Sequence, residues 1–321
     1  MNKTIHYLAI FTMFLTFFLI FVGALVKSTE SGLSVPDWPT TFGENMFLFP
    51  LSSMVGGIFY EHGHRLIASL VGFCILINTI LIQFSNHAKY IKRISWVTLL
   101  LVIVQGILGG LTVLYFLPVW ISASHGTLGQ TTFCLTIIIA TITSPKWSYY
   151  TFEKTNTYIR LLSIFTTLAI WIQLIIGAIV RHTESALVAL DFPKMNNRWI
   201  PSFSDNYINK INSIRFVDNF DSSIELNPIT SSQLFVHFLH RSWGYLVFIL
   251  ILYFAYLLYK RTNLIFLALI LIGLISIQIG LGAFTILSLK QFIITSLHVT
   301  NGAAILGLLV FISMQLHKIK K

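Results

Sequence analysis

Eight apolar runs, each long enough to cross a bilayer, constrain this chain more than any other feature. They occupy residues 5–27, 58–84, 93–116, 119–143, 158–181, 232–259, 263–286 and 293–316. A spanning helix needs about 20 predominantly apolar residues. Only 10% of the chain is charged, against about 25% in water-soluble domains, so a soluble fold is excluded. The expectation is an all-α integral membrane protein with eight transmembrane helices. Lys3 and His6 are the basic residues at the start of the first run, which lacks a small-residue cleavage site. It reads as a retained helix rather than a signal peptide.

The formal net charge of +10 invites a nucleic-acid reading, but its distribution does not support one. Eight crossings put both termini on one side. That side carries Lys3, Lys89, Lys92, Arg93, Lys146, Lys154, Arg160, Lys260, Arg261, Lys318, Lys320 and Lys321, opposed only by Glu153. The positive-inside rule makes it cytoplasmic. The excess is a topology signal for a multi-pass protein of the cell membrane, whose partner is the lipid bilayer and not nucleic acid. Cys74 and Cys134 both lie inside apolar runs, so no outer-loop disulfide is expected.

The chain also repeats itself. "GALVKSTESGLSVPDWP" (23–39) aligns without gaps with "GAIVRHTESALVALDFP" (177–193). "EHGHRLIASLVGF" (61–73) aligns with "HFLHRSWGYLVFI" (237–249), and "VQGILGGLTVL" (104–114) with "IQIGLGAFTIL" (277–287). The same offset as the last pair relates His125 to His298. The repeats predict two tandem, parallel four-helix bundles, residues 1–156 and 157–321, with their symmetry axis along the membrane normal. The outer loop after the first helix is longer in the second half. Its extra segment, "SDNYINKINSIRFVDNFDSS", reads as a polar surface loop.

Four of the ten histidines stand out. His6, His87 and His317 fall near cytoplasmic ends, and His62 and His182 at outer boundaries. His64, His125, His240 and His298 lie within apolar runs at matched depth, in repeat-related pairs. Ionisable groups in spanning helices are costly and point to function. A zinc site would want a third ligand, whereas a haem iron is held by two axial imidazoles in a bundle core. Gly63, Ala68, Gly126 and Gly129 in one half, and Gly244, Gly302, Ala303 and Ala304 in the other, offer a flat macrocycle close approach. Arg65 and Arg241 each follow a candidate ligand, and a guanidinium fork suits a haem propionate. Glu61 shares a helix face with His64, while the second half has His237 at that position. A carboxyl beside one candidate haem favours the first half as the place of chemistry and the second half as a permanently occupied site; the plain alternative is an interfacial acid paired with Arg65.

These residues, in this order, resemble the haem A synthase family over nearly the whole chain. The motifs are "SGLSVPDWPTTFG", "EHGHR", "SHGTLG", "FPKMNNRWIP", "LHR" and "LHVTNGA". The resemblance implies oxidation of a ring methyl of haem O to a formyl group, giving haem A for terminal oxidases. It implies that His64 and His125 hold the substrate haem O, that His240 and His298 hold a resident haem B, and that Glu61 is essential. Haem O synthase and terminal oxidase subunits become candidate partners. The electron donor, and whether several copies assemble, are left open. The chain departs from many bacterial members in having no cysteine pair in its outer loops, so no thiol role is carried over. A bis-histidine dihaem electron carrier and a haem-binding oxidase assembly protein stay as alternatives.

Overall fold

The computed structural model describes residues 2–145, 147, 156–218 and 226–317. Lys146, Glu153, Lys154, Lys318, Lys320 and Lys321 of the charge argument lie outside them, as does the stretch 219–223 of the long loop. Among the described residues there are nine α-helices, one short 3-10 turn at Leu51–Ser53 and no strand. The helices are α1 (Asn2–Ser28), α2 (Gly57–Gln83), α3 (Lys89–Leu114), α4 (Val119–Ile142), α5 (Thr157–His182), α6 (Asp205–Asp218), α7 (Ser231–Arg261), α8 (Ile265–Leu287) and α9 (Phe292–His317). All except α6 are long and apolar enough to span a membrane, and each overlies one of the expected runs.

Local chemistry sets several helix ends. The Asn156 side chain accepts from the Tyr158 N–H at the start of α5, and Thr230 and Gln233 form a reciprocal capping box at the start of α7. Helices α1 and α5 stop in the same way. Glu30 (φ 56°) and Glu184 (φ 51°) adopt the left-handed conformation. The next residues close the end, with Ser31 N–H donating to Val26 O and Ser185 N–H to Val180 O, both at 2.9 Å. This shared ending turns both helices into the long loops that follow them.

Helices α1, α2, α3 and α4 pack in a closed ring, each against the next, and so do α5, α7, α8 and α9. The rings meet along α1–α9, α4–α5 and α4–α9. Under the repeat correspondence of α1 with α5 and α4 with α9, these contacts map onto themselves, as two parallel units require. The second ring carries a core that includes Ile251, Phe254, Leu258, Leu271, Ile305 and Leu309. Large apolar side chains such as Phe11, Phe14 and Phe18 instead face outward. Such a surface is a liability in water and is ordinary against lipid tails.

The long second loop is not simply a polar surface segment. It contains α6, whose Ile208 and Ile211 are buried against Val188, Ala189, Met195, Ile229 and Leu234. Arg215 is buried too, donating to Leu187 O and Asn227 O. Ile208, Ile211 and Arg215 recur at i, i+3 and i+7, one face of a helix, so a mostly polar stretch still folds as a cap over the second unit.

Candidate functional site

The four intramembrane histidines occupy four equivalent niches. Each ring lies against a glycine of the preceding spanning helix: His64 on Gly23, His125 on Gly109, His240 on Gly177 and His298 on Gly282. A Cβ at any of these glycines would stand 3.0–3.1 Å from the histidine Cε1, closer than a comfortable carbon contact. The glycines sit at one interval from their helix ends, at Ser28, Leu114, His182 and Leu287. Three niches also have a glutamine one turn before the glycine. Gln105, Gln173 and Gln278 donate Nε2–H to the main-chain oxygens of His125 (2.7 Å), His240 (3.0 Å) and His298 (3.0 Å). These amides rest on Gly129, Gly244 and Gly302, one turn after each histidine. At the fourth niche the corresponding residues are Leu19 and Ala68.

Within each half the two imidazoles face one another. His64 and His125 have ring centres 6.5 Å apart at 80°, and His240 and His298 have ring centres 6.5 Å apart at 78°. No protein group hydrogen-bonds the Nε2 of any of the four among the described residues. Among those residues no third His, Cys, Asp or Glu joins either pair to form a metal cluster. An iron midway between two imidazoles, at the roughly 2 Å usual for a metal–imidazole bond, separates the ring centres by about 6 Å. Both pairs therefore fit an iron held by two axial histidines. All four line one continuous cavity of about 1290 Å³ that reaches into both halves. Single-ligand sites rarely exceed about 1,000 Å³, so this one has room for more than one such ligand.

Glu61, Arg65 and the first outer loop form one buried unit. Glu61 is 3% exposed. Its Oε2 accepts the Val35 N–H (2.8 Å) and its Oε1 accepts from Arg65 Nη2 (2.6 Å). Arg65 also donates to the main-chain oxygens of Asp37 (2.7 Å), Thr40 (3.0 Å) and Val35 (2.8 Å). All four Nη hydrogens are thus engaged. In the second half Arg241 donates to the oxygens of Asp191 (2.9 Å), Lys194 (2.6 Å) and Ala189 (3.2 Å), and its Nε donates to His237 Nε2 (2.9 Å). Each acceptor is the repeat counterpart of one in the first half. Both guanidinium groups clasp the long loops onto the helices, and both arginines border the cavity. His237 takes over the acceptor position of Glu61.

The loops are braced identically as well. The Asp37 carboxylate accepts the N–H groups of Phe42 and Gly43, and Asp191 accepts those of Asn196 and Asn197. Partial burial works against the Asp37 charge, but the hydrogen bonds from Gly43, Thr40 and Phe42 outweigh it and bring its pKa down to about 2. His62, expected at an outer boundary, is 1% exposed and pairs through Nδ1 with the Thr41 hydroxyl (3.0 Å).

Sequence reasoning missed a polar seam where the two halves meet. Glu184 bridges Lys27 and Lys290. Arg181 donates to Ala24 O and Ser28 Oγ, and its Nη1 is buried without a hydrogen bond. Lys27, Arg181, His182, Glu184 and Lys290 all border the cavity. Their sequence signal was position, since Lys27, Arg181, His182 and Glu184 fall inside the first aligned pair of segments. Cys74 and Cys134 are free, as their places in apolar runs implied.

A family model described as COX15-CtaA, cytochrome oxidase assembly protein, matches residues 6–53 and 48–310. The chain belongs to the COX15-CtaA family. Among curated relatives, the heme A synthase of Shewanella oneidensis is 25% identical, with 94% of this chain and 93% of that protein aligned. That of Pelagibacter ubique is 24% identical over 90% and 89%. The Shouchella clausii heme A synthase is 26% identical over 63% of this chain and 67% of its own length. The COX15-CtaA assignment covers both histidine pairs, both clasped loops and Glu61.

Proposed function

We infer that this COX15-CtaA protein is a haem A synthase, an oxidoreductase of haem biosynthesis that converts haem O to haem A in the membrane. The observation that carries the reading is the pair of facing-histidine niches in one cavity, with Glu61 one turn before His64 in the first and His237 at the matching position before His240 in the second. The first unit, residues 1–156, takes haem O between His64 and His125. The second unit, residues 157–321, keeps a haem B between His240 and His298. The basic side bearing both termini faces the cytoplasm, which puts both niches toward the extracytoplasmic side of the cell membrane. Haem O synthase and terminal oxidase subunits are the natural donors and acceptors of the pigment.

The resident haem would supply one-electron redox chemistry, and the protein residues do the rest. Gly23 and Gly109 let the two imidazoles of the first unit stand at the separation described above. The arginine clasp holds the loop after α1 against α2 beside the cavity. Turning the ring methyl into a formyl group takes two hydrogens from the carbon, with dioxygen as the oxidant, and Glu61, three residues before His64 on the same helix face, is the carboxylate placed to exchange a proton in that conversion. Both its partners are donors, so Glu61 is held as an acceptor for such a proton. Arg65 and Val35 keep it in place without being consumed.

The test is co-expression with a haem O source, followed by haem extraction and chromatography. The synthase reading expects haem A in the extract. Haems B and O with no haem A, from a folded and haem-loaded preparation, would favour a dihaem electron carrier or a haem-binding assembly protein and sink the synthase reading.

A further inference from the structure

The four niches are copies of one design, and one copy is incomplete. At His125, His240 and His298 a glutamine amide ties the histidine's own main-chain oxygen to the neighbouring helix. This cross-helix bond holds the ligand's backbone, and so its ring, at fixed distance from the cavity axis. At His64 the glutamine is replaced by Leu19, which packs beside Val71, Ile75 and Leu99. A leucine contact is non-directional and does not fix the His64 backbone along α1. The glycine on which the amide would rest is Ala68 here.

The two histidines of the first unit differ in a second way. Binding iron through Nε2 places the proton on Nδ1, and an acceptor there orients the ring and strengthens the ligand. His125 Nδ1 has the Gln105 main-chain oxygen at 3.1 Å. His64 Nδ1 is buried with no partner. His298 Nδ1 also lacks one, but that histidine keeps its glutamine, which Asn301 holds in turn by donating to Gln278 Oε1 (2.7 Å). Only His64 lacks both restraints, and it lies one turn from Glu61.

We propose that His64 is the yielding ligand of the molecule: the axial position on its side opens to an incoming small molecule, next to Glu61, while His125, His240 and His298 stay locked. The proposal rests on the haem reading of the preceding section. Gln105, Gln173 and Gln278 are then positioning residues, acting through the histidines they tether, and Leu19 marks the position where a tether is withheld.

The experiment uses purified full-length protein carrying its haems, reduced with dithionite, with carbon monoxide as probe of an opened axial position. Haem content is measured first by pyridine haemochrome. The wild type should bind carbon monoxide at part of its haem. Leu19→Gln combined with Ala68→Gly restores the tether and its seat. It should keep the haem and slow carbon monoxide binding about tenfold, the effect of one net hydrogen bond. Gln278→Leu removes a tether and should create a second carbon monoxide-reactive haem. A wild type that binds haem but no carbon monoxide, an unchanged rate in the Leu19 variant, or no gain in the Gln278 variant overturns the proposal. Should the double substitution not fold, the Gln278 result decides. A folded protein with no haem in any preparation would overturn the haem reading itself.

Discussion

Replacing Glu61 separates its structural role from its chemical one, because the second half already contains the alternative residue. Glu61 accepts from Val35 N–H and Arg65 Nη2, and both atoms are donors. Glu61→Gln offers one acceptor oxygen and one donating amide, so one of the two hydrogen bonds must break. A lost hydrogen bond involving a charged group costs about 1.5–3 kcal/mol. Arg65 keeps three carbonyl acceptors, which places the cost near the middle, about 2 kcal/mol. At 1.4 kcal/mol per tenfold, that opens the clasped loop about 30-fold more often. Glu61→His instead copies His237, which accepts from Arg241 at 2.9 Å, and should hold the loop within about tenfold of wild type. Both substitutions remove the carboxylate. Both should lower haem A formation by about 10²–10⁴, the range of general acid–base catalysis. Hydrogen exchange of residues 35–43 reads the loop, and the ratio of haem A to haem O in extracts reads the chemistry. A Glu61→His protein with wild-type haem A output would refute the proton role. A Glu61→His loop as open as that of Glu61→Gln would refute the equivalence of the two clasps.

Two further outcomes follow from the geometry. Gly282→Val puts a branched side chain where even a Cβ stands 3.0 Å from His298 Cε1, so the second-half haem signal should be lost while the first-half haem is retained in difference spectra. The Asp37 brace sets an acid limit. Its folded pKa is lowered from 3.8 to about 2, so its contribution is full above about pH 4 and is lost as pH falls through 2. Hydrogen exchange at Phe42 and Gly43 should therefore accelerate in that window for the wild type, and Asp37→Asn should exchange fast throughout.

Much of this architecture is legible in the sequence because lipid imposes a simple code. Eight apolar runs became eight spanning helices, and the repeated His64, His125, His240 and His298 became two facing pairs. The loop clasps made by Arg65 and Arg241 were not legible. Their acceptors are main-chain oxygens in loops that lie far away in the chain, and a carbonyl has no side-chain signature. His62 looked interfacial because its neighbours in sequence are polar, yet Thr41 and Phe49 cover it. The α6 cap was hidden by its many polar residues, since among its described residues two isoleucines and one arginine carry the buried face. The glutamine tethers were partly visible, because Gln105 aligns with Gln278. Gln173 escaped because it relates to them by a quarter of the chain rather than by half.

That quarter relation has a topological consequence. The repeating element is a helical hairpin that carries glycine on its outbound limb and histidine on its return limb. A hairpin leaves and re-enters on one side, so copying it never inverts its histidine. Joining two closes a ring with two imidazoles facing inward, and joining four gives two such rings. A single helix copied in tandem would alternate in direction and scatter its ligands to opposite faces. Two facing-histidine niches at one depth are thus what hairpin duplication gives by itself, and the α1–α2 hairpin differs from the other three in carrying Leu19 and Ala68 where they have glutamine and glycine.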